Sequence, residues 1–438
     1  MASVGNTHRN RSRYCKTIED NWFTISRFGQ SCERLPKNYG HLTLAFMNMI
    51  LIPIQTLWAG RMHLCVSLGI AILLLAGCHQ GDEPGRTVES NVSSTASTAS
   101  GLVQAAEESD LGSPAPVPPV GMVWIPGGQF TMGCNERYAF VNERPAHRVQ
   151  VSGFFLDIHP VTNREYANFV EATGYVTVAE RPVDWEEIKQ QVPPGTPKPP
   201  DDQLAPGSLV FRPTESEVPL DDMSQWWHWT LGANWKHPEG PESTLNGRED
   251  HPVVHIAFED AVAYATWAGK RLPTEAEWEF AARGGLEGAR YAWGNEERPR
   301  GEIRLNRWDG KFPVVNTRED GFAGTSPVGH FPPNRFGLHD MGGNVWNWCT
   351  DIYAADTYVL RSDQPELCVD PVHPPPGAGR VWIPGDPSPP TAPGVERRLI
   401  KGGSFLCHPD YCESYRPAAR RGMPPDTGTS HIGFRCAQ

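Results

Sequence analysis

The chain has 438 residues, with 43 glycines, 42 prolines and 39% apolar residues, which argues against a helical bundle and for loop-rich globular structure in one large or two ordinary domains. A formal net charge of −12 argues against a nucleic-acid partner and suits carboxylate-held divalent cations. Fifteen tryptophans suit a substantial core and aromatic-lined clefts.

Residues 64–76 form an apolar run after Arg61 that ends Leu74-Leu75-Ala76-Gly77-Cys78. Such a run closed by small residues reads as an export signal, and it is shorter than the ~20 residues of a membrane span. The Leu-Ala-Gly-Cys ending resembles a bacterial lipobox, which implies cleavage before Cys78 and lipidation of its thiol. An ordinary signal peptide and a membrane helix are the alternatives. A second apolar stretch, 42–58, lies behind polar and basic residues 1–40. A start near Met47, Met49 or Met62 then makes residues 1–61 an extension and 62–78 the lipoprotein signal. Residues 79–118, rich in Ser, Thr, Ala, Glu and Pro, cannot bury enough surface to order and read as a disordered tether. The expected location is outside the cytoplasm, on the periplasmic or cell-surface side, with membrane contact through the lipid alone.

Residues 119–438 read as one α+β domain with little regular secondary structure. Two short strands flank Pro126-Gly127-Gly128, and Val149-Gln150-Val151 and Phe154-Phe155-Leu156 add two more. Thr162 and Glu165 form a capping box ahead of a helix that stops at Gly174, and Thr274 and Glu277 form another ahead of one that stops at Gly284-Gly285. A third helix is predicted over 259–268. Segments 182–206 and 363–395 read as Pro-rich surface insertions. Long ordered loops of this kind call for cations or disulfides to hold them.

Four cysteines, Cys15, Cys32, Cys65 and Cys78, precede the domain, and Cys134, Cys349, Cys368, Cys407, Cys412 and Cys436 lie within it. There is no CxxC pair and no zinc-ribbon spacing. Cys407 and Cys412 follow the turn Gly402-Gly403-Ser404. Two thiols that close can hold a soft metal, do redox chemistry or close a structural disulfide.

Several segments together carry a family resemblance. They are 232–241, the run Arg271-Leu272-Pro273-Thr274-Glu275-Ala276-Glu277-Trp278, Gly342-Gly343-Asn344-Val345-Trp346, the Cys407-His408 and Tyr411-Cys412 pairs, and Gly433-Phe434-Arg435-Cys436. Over 119–438 the chain resembles the formylglycine-generating enzyme family, the sulfatase-modifying factors. The resemblance implies a compact domain with a variant C-type-lectin-like core. It also implies oxidation of a cysteine in a Cys-x-Pro-x-Arg-like motif of unfolded sulfatase polypeptides to Cα-formylglycine, using O₂ and Cu(I). A non-catalytic binding module on the same scaffold is the alternative. A sulfoxide synthase would need a His-x-x-x-Glu-x-His motif that the sequence lacks. A monomer is the default expectation.

The resemblance makes Cys407 and Cys412 the copper ligands and catalytic pair, converging at a groove. It places Ser404, His408, Tyr411 and Trp346 around them. Ser404 reads equally as a turn residue, His408 and Tyr411 as packing, and Trp346 as a core aromatic. It assigns one calcium to Asn306, Asp320 and the carbonyls of Arg307 and Phe322, and a second to Asp340, Asn347 and the carbonyls of Gly343 and Val345. Turn capping is the alternative use of both aspartates. Asn347 stands where the family often has Glu, and His431 where it often has Asn. Ala265, Ala282 and Pro417 stand where some members have disulfide cysteines, which leaves the pairing of Cys436 open.

Overall fold

The computed structural model describes residues 116–189, 195–372, 374–379, 383–388 and 396–438. The lipobox, the N-terminal extension, most of the tether and parts of both Pro-rich insertions lie outside the described residues. Among the described residues no helix is long and apolar enough to cross a membrane.

Strands β1 (Met122–Ile125), β2 (Gly128–Met132), β3 (His147–Val151) and β4 (Phe154–Asp157) open the domain. β1 and β2 flank the Pro-Gly-Gly turn but do not pair with each other. β1 runs antiparallel to β4, and β2 antiparallel to β3. Gly127 makes this crossing feasible: its φ is +73°, and a Cβ there would meet the Val151 carbonyl at 2.5 Å.

Helix α1 (Asn163–Thr173) starts at Thr162, whose hydroxyl accepts the Glu165 N–H at 3.2 Å, and stops at left-handed Gly174. The hairpin β5 (Gly207–Phe211) and β6 (Trp227–Leu231) follows. α2 (Phe258–Trp267) agrees with the predicted third helix within a residue, and α3 (Glu275–Arg283) has the Thr274–Glu277 capping box. A small ladder, β7 (Gly310–Lys311) with β8 (Val315–Asn316), precedes the principal sheet.

That sheet has the order β12-β11-β9-β13, built from β9 (Trp346–Ile352), β11 (Arg398–Lys401), β12 (Arg421–Met423) and β13 (Ile432–Gly433). Between β9 and β11, the short α4 (Thr357–Ser362) leads to β10 (Cys368–Val369), which joins β3 in parallel.

One apolar cluster packs β2 and β3 against α3 through Phe130, Val149, Trp278 and Phe280. A second packs α1 and α2 against the principal sheet through Tyr166, Phe169, Tyr264 and Trp348. The six cysteines of the domain are all free. Disulfides therefore do not hold these loops. Buried ion pairs do so at several points. Arg420 grips Glu275 at 2.6 and 3.0 Å, Lys401 and Arg283 share Glu279 at 3.0 and 2.7 Å, and Arg416 grips Glu143 at 2.7 Å. All seven side chains are nearly inaccessible, so each charge depends on its partner.

Candidate active site

Lys401 ends β11 and is fixed by Glu279 inside α3. The chain then turns through Gly402 and Gly403, with φ of +95° and +68°. A Cβ on Gly403 would lie 2.9 Å from the Tyr415 nitrogen and 3.1 Å from Cys407 Sγ, so only glycine leaves room for the sulfur. The Ser404 carbonyl accepts the Cys407 N–H at 2.9 Å. The His408 carbonyl then accepts the N–H groups of Tyr411 and Cys412 at 3.0 and 2.7 Å. These two turns bring Cys412 back onto Cys407.

The two sulfurs stand 2.8 Å apart, beyond the ~2.05 Å of a disulfide bond. Both side chains are buried. Burial, and then the bond to Cys412, push the Cys407 thiol well up. Cys412 is held down at about 6, first by the hydrogen bond from Cys407, with Arg421 and Ser414 helping against burial. Arg421 Nη2 lies 3.9 Å from Cys412 Sγ. The pair thus favours a thiol at Cys407 and a thiolate at Cys412, the nucleophilic and metal-binding form.

Aromatic side chains wall the pair. The Tyr411 ring stacks on Phe312 at 4.5 Å and meets the edge of Trp226 at 5.4 Å. Burial, then Cys412, raise its phenol, so it stays protonated. The His408 ring nitrogen accepts the Asp410 N–H at 3.2 Å and caps the turn. Trp346 is buried in β9, in the same apolar cluster as both cysteines. Ser404 is fully buried, its hydroxyl 3.0 Å from His431 Nδ1. A cleft of about 630 Å³ opens nearby, lined in part by Phe405, Trp308, Ser430, Arg248 and Glu239. The sulfurs converge but do not themselves line it. Phe405 and Trp308 do line it, and the Trp308 backbone N–H donates to the Cys407 carbonyl at 3.2 Å.

Three residues at this site, Arg421, Trp226 and Trp227, escaped the sequence reading. Arg421 lies nine positions past Cys412 and carries no local signal. The Trp226-Trp227 pair was visible as aromatic density, but only the β5–β6 hairpin carries it to Tyr411 and His431.

Of the first calcium set, Asp320, Arg307 and Phe322 are joined by hydrogen bonds. Asp320 is buried, and its carboxylate accepts the N–H groups of Arg307 and Phe322 at 3.0 and 2.9 Å. Asn306 ties to the same loop by donating to the Gly324 carbonyl at 2.8 Å. Burial raises the Asp320 carboxyl, and Asp309 adds to the rise. A buried carboxylate without a cationic side chain on it suits a hard cation.

The second set is engaged otherwise. Asn347 Oδ1 accepts from Arg435 Nε at 2.8 Å and from Trp278 Nε1 at 3.1 Å, and its amide donates to the Val345 carbonyl at 3.1 Å. The Asp340 carbonyl accepts from Arg435 at 3.0 Å. The buried guanidinium therefore occupies the Asn347 oxygen of this set, while the Asp340 carboxylate accepts the Gly329 N–H at 3.0 Å. Gly343 has φ +77° beneath the Asn306 carbonyl. Among the described residues no group of three or more His, Cys, Asp and Glu could hold a metal.

The family model of the sulfatase-modifying factor enzyme 1-like domain matches residues 108–438. The chain is 49% identical over 319 residues to a formylglycine-generating enzyme of Thermomonospora curvata, covering 72% of this chain and 93% of that protein. It is 49% identical over 316 residues to one of Mycobacterium tuberculosis, covering 72% and 96%. It is also 37% identical over 319 residues to the inactive Cα-formylglycine-generating enzyme 2 of Mus musculus, covering 72% and 85%.

Proposed function

This chain belongs to the sulfatase-modifying factor family, and we propose that it is the enzyme that converts a sulfatase cysteine to Cα-formylglycine, with Cys407 and Cys412 as its reactive pair. The carrying observation is two buried, unbridged sulfurs 2.8 Å apart, with Cys407 bonded through its carbonyl to Trp308, a residue that lines a cleft.

The two thiols form a soft donor set that fits Cu(I), which when bound would supply the means to reduce O₂. The chain's own residues do the rest. Arg421 favours the Cys412 thiolate, and the Tyr411–Phe312 stack keeps water from the sulfurs. The cleft would receive an extended segment of an unfolded sulfatase, with a Cys-x-Pro-x-Arg-like motif. One calcium, on Asn306, Asp320 and the carbonyls of Arg307 and Phe322, would brace the loops beneath. Lipidation at Cys78 would hold the enzyme outside the cytoplasm.

Incubating reduced, Cu(I)-loaded protein with such a peptide in air should convert its thiol to an aldehyde, read by mass spectrometry. Cys407→Ala and Cys412→Ala should each remove the conversion, and full activity in both would refute the assignment. The inactive relative and the recessed sulfurs favour a second reading, a binding module that retains peptide without converting it. The same assay separates the two. Metal analysis should find one calcium fewer per chain in Asp320→Asn than in the wild type. Unchanged calcium in that variant would remove the site.

A further inference from the structure

We propose that His431 is a positioning residue for this oxidation, acting through Ser404; the proposal rests on the function just given. A serine hydroxyl has one proton and two lone pairs. The Leu406 N–H donates to Ser404 Oγ at 3.3 Å, and His431 Nδ1 meets the same oxygen at 3.0 Å. The ring nitrogen therefore removes the rotational freedom left to the hydroxyl. Ser404 is also the residue from which the cysteine turn starts, through its carbonyl bond to the Cys407 N–H. Fixing the hydroxyl fixes the polar edge of the sulfur site.

His431 is itself held on two sides. Its carbonyl accepts the Trp346 N–H of β9 at 3.0 Å, and its ring meets the Trp227 ring edge-on at 4.7 Å. Burial, then nearby His255, lower its imidazole to about 3, so the ring stays neutral. A neutral ring that resists protonation suits a hydrogen-bond partner and not a general base. The preceding residue joins the site to the cleft. The Ser430 N–H donates to the Leu209 carbonyl at 3.0 Å, and the Phe211 N–H donates to Ser430 Oγ at 3.2 Å. Phe211 and Ser430 both line the cleft, so a peptide seated there abuts the segment that orients Ser404.

The test is a double-mutant cycle on the copper-loaded protein with the peptide substrate. His431→Phe keeps a ring against Trp227 but has no nitrogen, and it should lower kcat about tenfold with little change in KM. His431→Asn should restore most of the rate, since an amide can still bond the hydroxyl. Ser404→Ala combined with His431→Phe should be no slower than Ser404→Ala alone, because both remove one interaction. Should the phenylalanine variant not fold, His431→Leu runs the same cycle. Losses that multiply in the double variant, or no rescue by asparagine, would overturn the proposal while leaving an active wild type. A wild type that forms no aldehyde would defeat the functional reading and this proposal together.

Discussion

Gly403 shows how little room the site leaves. Its φ of +68° suits glycine, and the missing Cβ is the space against which Cys407 Sγ and the Tyr415 backbone pack. Gly403→Ala should lose about 1–3 kcal/mol of stability, measured by urea unfolding, and most of its turnover. Wild-type stability and rate in that variant would contradict this account of the turn. The spacing of Cys407 and Cys412 after Gly-Gly-Ser made a close thiol pair legible from the sequence, and the family resemblance alone gave it a catalytic role. Arg421 was not legible as a partner of Cys412, nor His431, though noted as a family position, as a partner of Ser404, because a β-strand and the chain before β13 bring them back from 9 and 27 positions away.

At the level of elements, local chemistry was readable and distant pairing was not. The boxes at Thr162–Glu165 and Thr274–Glu277 complete themselves within one turn, so both helices begin and end where their residues say. Thr274 is the sharper case. Its hydroxyl accepts the Glu277 N–H at 3.1 Å, and Glu277 accepts the Thr274 N–H at 2.8 Å while holding Arg271. Thr274→Ala should cost about 1 kcal/mol, read as a lower thermal midpoint with formylglycine yield per folded enzyme unchanged. A yield that fell with intact folding would mean α3 does more than support β11. The β5–β6 hairpin and the principal sheet gave no such signal. Their partners are long-range, and β9 mixes Trp, Asn, Cys and Asp without alternation. Nothing near Glu275 and Glu279 shows that both are buried, since the cations Arg420 and Lys401 lie more than a hundred residues on.

For the whole molecule, those buried pairs set the response to acid. Burial alone would raise Glu279, but Lys401 and Arg283 bring it down to about 2. Its unfolded value is about 4.3, so the unfolded chain takes up the proton first as pH falls. The stabilisation from Glu279 is complete above the unfolded value and is lost between about pH 5 and pH 2. Glu279→Gln should therefore flatten that acid limb. At neutral pH it should also cost about 3–5 kcal/mol, because Lys401 loses its buried carboxylate. Urea midpoints measured across the range check both, and parallel curves for the two proteins would refute the assignment.

The absence of any cystine among the described residues has a practical side. Strong reductants, which would dismantle a cross-linked exported domain, have nothing to cut in this part of the molecule. The thiols at 407 and 412 can therefore be kept reduced while the scaffold stays folded. Oxidative damage to the chemistry can then be told apart from damage to the architecture.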